Sequence, residues 1–110
     1  MSLQGFQVLF EAPAEVCVSL EDGGLGFEGC FRLVRHPSGD VRGFLCCDVD
    51  IYPFLAPDGI YVVRLEQTSL ELVAERTFKF PGWTRDRYLR FPAENDAQTF
   101  ARVWGQVLGK

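Results

Sequence analysis

The feature that most limits how this chain can fold lies at its C-terminal end, where an alternating segment, Arg87 to Phe91, runs straight into one amphipathic helix. Ala97, Phe100, Ala101, Trp104, Val107 and Leu108 recur three and four residues apart and make a single apolar stripe, the pattern of a helix that must bury one face against another element. Asn95 with Gln98 three residues on has capping-box spacing, Asp96 sits where the helix dipole favours a negative charge, and Gly109 marks the end. The spacing therefore predicts a helix from Asn95 to Leu108. A lone helix cannot cover its own stripe, and everything before it reads as short strands. The helix is expected to close off or plug a small curled sheet.

Those strands show as apolar and polar residues alternating in short segments between turn residues. The first carries Phe6, Val8 and Phe10 and ends at Ala12, Pro13 and Ala14; the second carries Val16, Val18 and Leu20 and ends at Glu21 to Gly24. A third, Phe27 to Arg35, turns through His36, Pro37, Ser38, Gly39 and Asp40 into a fourth, Val41 to Val49. Proline presets one turn dihedral and glycine tolerates positive φ, so this is the best hairpin in the chain. The breaker-rich segment from Asp50 to Gly59 reads as a connection, followed by a fifth strand, Ile60 to Leu65. The sixth places Leu70, Leu72, Ala74, Phe78 and Phe80 on one face, with Arg76 an exception that points to an end or a bend. Arg87 to Phe91 is the seventh.

With 110 residues, 47% apolar and 14% aromatic, the chain has material for one domain spanning 1–110 and a core without staples. It also fits one module or subunit of a larger assembly. A formal charge of -4 argues against a general nucleic-acid binder, which needs excess Lys and Arg to displace counterions. The charge is unevenly spread: residues 1–55 hold eight acids against three bases, whereas residues 76–90 hold Arg76, Lys79, Arg85, Arg87 and Arg90 against Asp86 alone. No apolar run approaches the roughly 20 residues that cross a bilayer, and the start MSLQGFQ lacks the features of a secretory signal. The expectation is a soluble, intracellular, cytoplasmic protein. Cys17, Cys30, Cys46 and Cys47 lack the paired spacing that grips zinc. They read as free thiols behaving as small hydrophobes, with a disulfide framework as the rival.

Seven strands in runs of four and three around the longest connection, then one C-terminal helix, resembles the pleckstrin-homology-like superfold. The closing segment LRFPAENDAQTFARVWGQVL shares in the resemblance: such domains often end in a strand of the type L-x-F, a short polar turn and a helix with a central aromatic pair, here Leu89, Phe91, Phe100 and Trp104. The likeness is to a superfold and to no particular family. It implies an α+β fold, mostly antiparallel, a seven-stranded barrel or sandwich capped by the helix, and binding rather than chemistry. Members bind phosphoinositides, proline-rich or phosphotyrosine peptides, small GTPases or neighbouring subunits, and fold alone does not choose among them. The loop that would meet a phosphoinositide, Glu11, Ala12, Pro13, Ala14 and Glu15, has the wrong sign. A membrane lipid is accordingly the disfavoured partner.

The segment FKFPGWTRDRYLR, Phe78 to Arg90, combines aromatic and basic side chains around Pro81 and Gly82. Trp, Tyr and Arg are enriched in interface hot spots because they bury large rigid surfaces or donate paired hydrogen bonds. A partner-docking edge built on Trp83, Arg85, Arg87 and Tyr88 is weighed against a plainer reading in which Phe78, Phe80 and Leu89 are core and the arginines are solvated. The connection IYPFLAPDG offers Phe54 as a further contact, unless it folds back over one end of the barrel. Nothing reads as catalytic. His36 is the only histidine, sits beside a turn and has no nucleophile placed with it. Asp48, Asp50 and Asp58 lack the glycine and acidic spacing of a calcium loop. Gly23, Gly24, Gly26 and Gly29 do not make a phosphate-cradling loop. The expectation is a non-enzymatic adaptor or complex subunit that binds a protein or peptide and needs no cofactor or metal; a phosphoinositide-binding domain, or a small ligand-carrying barrel or enzyme, are the alternatives.

Overall fold

The computed structural model describes residues 5–17, 26–47, 60–65, 68–83 and 87–109. Seven strands, β1 (Gln7–Cys17), β2 (Gly26–Arg35), β3 (Val41–Cys47), β4 (Ile60–Arg64), β5 (Glu71–Ala74), β6 (Thr77–Lys79) and β7 (Tyr88–Arg90), precede one helix, α1 (Glu94–Leu108). They form a single antiparallel sheet in the order β4-β3-β2-β1-β7-β6-β5. Among the described residues its ends, β4 and β5, do not pair, so the sheet is open rather than a hydrogen-bonded barrel.

The first two expected strands are one. β1 runs unbroken through Pro13, where a turn was expected, and keeps its register with β2 from Phe10↔Leu33 to Cys17↔Gly26. Proline stops a strand only where its missing N–H is needed by a neighbour. On its other side, among the described residues, β1 meets β7 only from Glu15 to Cys17, so no described strand pairs with that flank at Pro13. The expected sixth strand is instead two. Glu75 and Arg76 turn it into the β5–β6 hairpin, which explains why Arg76 broke the apolar pattern. The runs on either side of the 50–59 connection are therefore three and four strands. The hairpin expected at His36 to Asp40 is present: the His36 amide donates to the Asp40 carbonyl at 2.7 Å, and Gly39 has φ 102. The turn expected at Glu21 to Gly24 and the connection from Asp50 to Gly59 lie outside the described residues.

The helix begins one residue earlier than its spacing implies. Ala93 is the N-cap, with no side-chain cap hydrogen bond, and Asn95 is already inside the first turn. Its carbonyl accepts a hydrogen bond from Thr99 Oγ1 at 3.0 Å. Glu94 and Asp96 supply the negative charge at the positive end of the dipole, and Gly109 closes the other end by donating to the Gly105 carbonyl at 2.9 Å. The buried stripe is narrower than expected: Ala97, Phe100, Trp104 and Val107 are buried, whereas Ala101 and Leu108 are exposed.

Phe100 is the hub. Its ring centroid lies 5.1 Å from Phe91, 5.2 Å from Phe78, 5.5 Å from Phe31, 5.6 Å from Phe10 and 6.2 Å from Phe80. Phe10 and Phe31 belong to the β1–β2 half of the sheet, and Phe78 to the β6–β7 half. One helical side chain thus joins both halves, with mostly edge-to-face or tilted rings, the geometry their quadrupoles favour.

Candidate functional site

β5 is the described edge where the core is left uncovered. Leu72 stands opposite Phe78, which is buried, so it projects toward the core face, yet it is 60% exposed. Val73 is the extra residue of a bulge between Leu72 and Ala74 and is 40% exposed. Bulges blunt an edge against indiscriminate pairing. They do not explain why an inward-facing leucine remains wet.

Beside this edge is a groove of ≈ 380 Å³ lined by Ser69, Leu70, Glu71, Lys79, Phe80, Pro81, Gly82 and Trp83. Its floor follows from local turn chemistry. Pro81 and Gly82, with φ 90 at the glycine, make the turn in which the Trp83 amide donates to the Phe80 carbonyl at 3.1 Å. The turn brings the Trp83 indole onto the Phe80 ring, with centroids 5.2 Å apart. Phe80 is buried and packs on Trp104 at 5.7 Å, so Trp83 is a half-buried aromatic resting on a rigid core.

The other expected docking residues are placed differently. Arg87 and Tyr88 are half-buried and lie outside the lining of this groove. Tyr88 sits on β7 opposite Cys17 of β1. Arg85 and Phe54 lie outside the described residues. Part of the basic charge of 76–90 is used internally: Arg90 Nη1 donates to Glu15 Oε1 at 2.8 Å, and Arg76 Nη1 donates to the Pro92 carbonyl. Lys79, opposite Glu71, is the cation left in the groove wall. The β5 edge was not singled out from the sequence, although Arg76 on an apolar face was the visible sign of the hairpin that creates it.

His36 is a turn residue as expected. Its Nδ1 accepts from the Ser38 amide at 3.0 Å and lies 2.8 Å from Ser38 Oγ, which fixes Nδ1 as an acceptor, and Phe6 packs edge-on against the ring. Among the described residues no three His, Cys, Asp or Glu side chains converge on a point that could hold a metal ion. No described helix is long and apolar enough to cross a membrane.

An antiparallel sheet with this strand order, closed over by one C-terminal helix, is a pleckstrin-homology-like fold. Among solved structures it is similar to a crystal structure of the Ran-binding domain from the nuclear pore complex component NUP2 of Ashbya gossypii, with TM-score 0.69 and 14% identity over 94% of this chain and 97% of that one. A second structure of the Ran-binding domain of that component matches with TM-score 0.63 and 15% identity, over 96% and 97% of the two chains. No protein-family model matches the sequence, and a search of curated proteins finds no match.

Proposed function

We propose that this chain is a non-catalytic protein-binding module, an adaptor or complex subunit, that takes an extended segment of a partner as an added strand along β5. The observation that carries the reading is Leu72: a core-face leucine on an edge strand that no described strand covers, 60% exposed beside a preformed aromatic groove. An added strand would pair with the β5 backbone groups that no described strand meets and lay apolar side chains over Leu72, while the groove against Trp83 and Lys79 would take one anchoring residue. Trp83 then contributes a rigid contact face, since it rests on Phe80 and through it on Trp104. The structural neighbours, Ran-binding domains, support a protein partner over a small molecule.

Selection of displayed random peptides on the immobilised chain, followed by titration of a selected peptide, tests this. Leu72→Lys should abolish binding and Trp83→Ala should weaken it about tenfold or more, the scale of a hot-spot residue, with thermal midpoints close to the parent. Amide-exchange protection should rise at residues 71–74 on binding. Selected peptides that ignore both substitutions, or that protect a different strand, would remove β5 as the site.

A further inference from the structure

Cys30 on β2 and Cys46 on β3 stand directly opposite each other in the antiparallel register. Opposed residues project from the same face, with Cα atoms about 4.5 or about 5.5 Å apart according to their place in the ladder. Both spacings fall inside the roughly 4.4–6.8 Å that disulfides span. The face is the outer one: Phe31 and Leu45, one residue along each strand, are fully buried in the core, whereas Cys30 and Cys46 are half-buried free thiols. Glu11 on the neighbouring strand β1 completes the cluster. Its Oε2 accepts from the Cys30 thiol at 3.6 Å and also from Arg32 Nε.

We propose that Cys30 and Cys46 form an oxidisable dithiol, a modification site on the outer face of the β2–β3 hairpin that a peroxide closes into an intramolecular disulfide. In the first step a thiolate attacks one peroxide oxygen, the O–O bond breaks, and a sulfenic acid and one water result. In the second, the opposing thiol attacks that sulfur, the S–S bond forms, the S–O bond breaks and a second water leaves. Two thiols thus lose two electrons and two protons, and one peroxide is reduced to two waters. Burial, then the Glu11 carboxylate, raises the Cys30 thiol above its ordinary value, which lowers its thiolate fraction and slows any attack it makes. Cys17 stays out of the reaction. It is buried, its thiol is pushed up to about 11 chiefly by that burial, and it sits on β1 opposite Tyr88.

The test is titration of the reduced full chain with hydrogen peroxide, read by intact mass and by digestion with trypsin plus a glutamate-specific protease. Cleavage after Glu28, Arg32 and Arg42 separates Cys30 from both Cys17 and the Cys46-bearing peptide. The expected result is loss of two hydrogens from a monomer, the peptide Gly29 to Arg32 linked to the peptide beginning at Gly43, and reversal by dithiothreitol. The link should vanish in Cys30→Ser and Cys46→Ser and persist in Cys47→Ser. The oxidised chain should melt on the order of 10 °C higher than the reduced one, since the bond closes a short loop in the unfolded chain. Oxygen addition without a link, covalent dimers only, or a link that survives Cys46→Ser would overturn the proposal.

Discussion

A β-carbon added at Gly43 would lie 2.9 Å from Cε1 and Cζ of Phe31 and 3.2 Å from Cδ1 of Leu65. Unstrained carbon contacts sit near 3.5–4.0 Å, so something must move. The Phe31 ring has little freedom to do so. It is fully buried and wedged against Phe10, Phe91 and Phe100 at centroid distances of 6.5, 5.9 and 5.5 Å. Replacing a strand glycine by alanine ordinarily stabilises a protein by roughly 0.5–1 kcal/mol, because the unfolded chain loses freedom. Overpacking a filled core costs roughly 1–3 kcal/mol. The larger effect wins, and Gly43→Ala is expected to destabilise the fold by about 1–2 kcal/mol. A urea titration should show a lower midpoint with unchanged slope. Repeating the substitution in a Phe31→Leu background isolates the cause: with the ring gone, the penalty should shrink by at least about 0.5 kcal/mol, the size of coupling between touching residues. A Gly43→Ala chain as stable as its parent, or an equal penalty in both backgrounds, would refute the ring-over-glycine argument.

The ranking of the two helical aromatics is a second expectation. Phe100 is fully buried amid Phe10, Phe31, Phe78, Phe80, Phe91 and Trp104. Trp104 meets Phe80 and Phe100, and its Nε1 is buried without a hydrogen-bond partner among the described residues. Phe100→Ala should therefore cost near the top of the roughly 3–5 kcal/mol range for such deletions and Trp104→Ala near the bottom; the reverse order in denaturant titrations would contradict the hub assignment. The third concerns acid. Hydrogen bonding to Arg32 and its charge hold the Glu11 carboxyl below its ordinary 4.5. A lowered folded-state value means that the contribution is complete above pH 4.5 and is lost as pH falls through the folded value. Thermal midpoints of wild type and Glu11→Gln should thus differ at neutral pH and converge in acid, and parallel curves would show that the pair contributes nothing.

The helix and the strand-rich body were legible because their signals are local: a 3.6-residue stripe at 97–107 and period-two alternation upstream. The boundaries that moved depend on neighbours. Pro13 stops a strand in isolation, yet in the sheet β7 reaches only Glu15, so no described strand on that flank asks for its missing N–H. Asn95 has the chemistry of a cap, but the helix starts at Glu94, with acidic residues in its first turn and no side-chain cap. Leu108 continues the stripe by spacing and is nonetheless 41% exposed, because burial depends on how far the sheet extends beneath the helix.

The same limit separates what could be read of the sites. The Trp83 turn was visible, since Pro81-Gly82 between aromatics dictates its own conformation through a positive φ at Gly82. The β5 edge was not, because an edge is defined by strand order, and nothing within residues 71–74 says that no described strand follows on the far side. Cys30 and Cys46 are the sharper case. Sixteen positions apart in the sequence, they oppose each other only because the turn at His36 to Asp40 sets Arg35 against Val41, and each step along the hairpin then pairs residues whose numbers sum to the same total. A one-residue slip would put Cys47 opposite Cys30 and turn the side chains on one strand to the other face. The dithiol is therefore a sensitive reporter of register: formation of the Cys30–Cys46 link, and not of a Cys30–Cys47 link, would confirm the turn geometry and the chemistry at once.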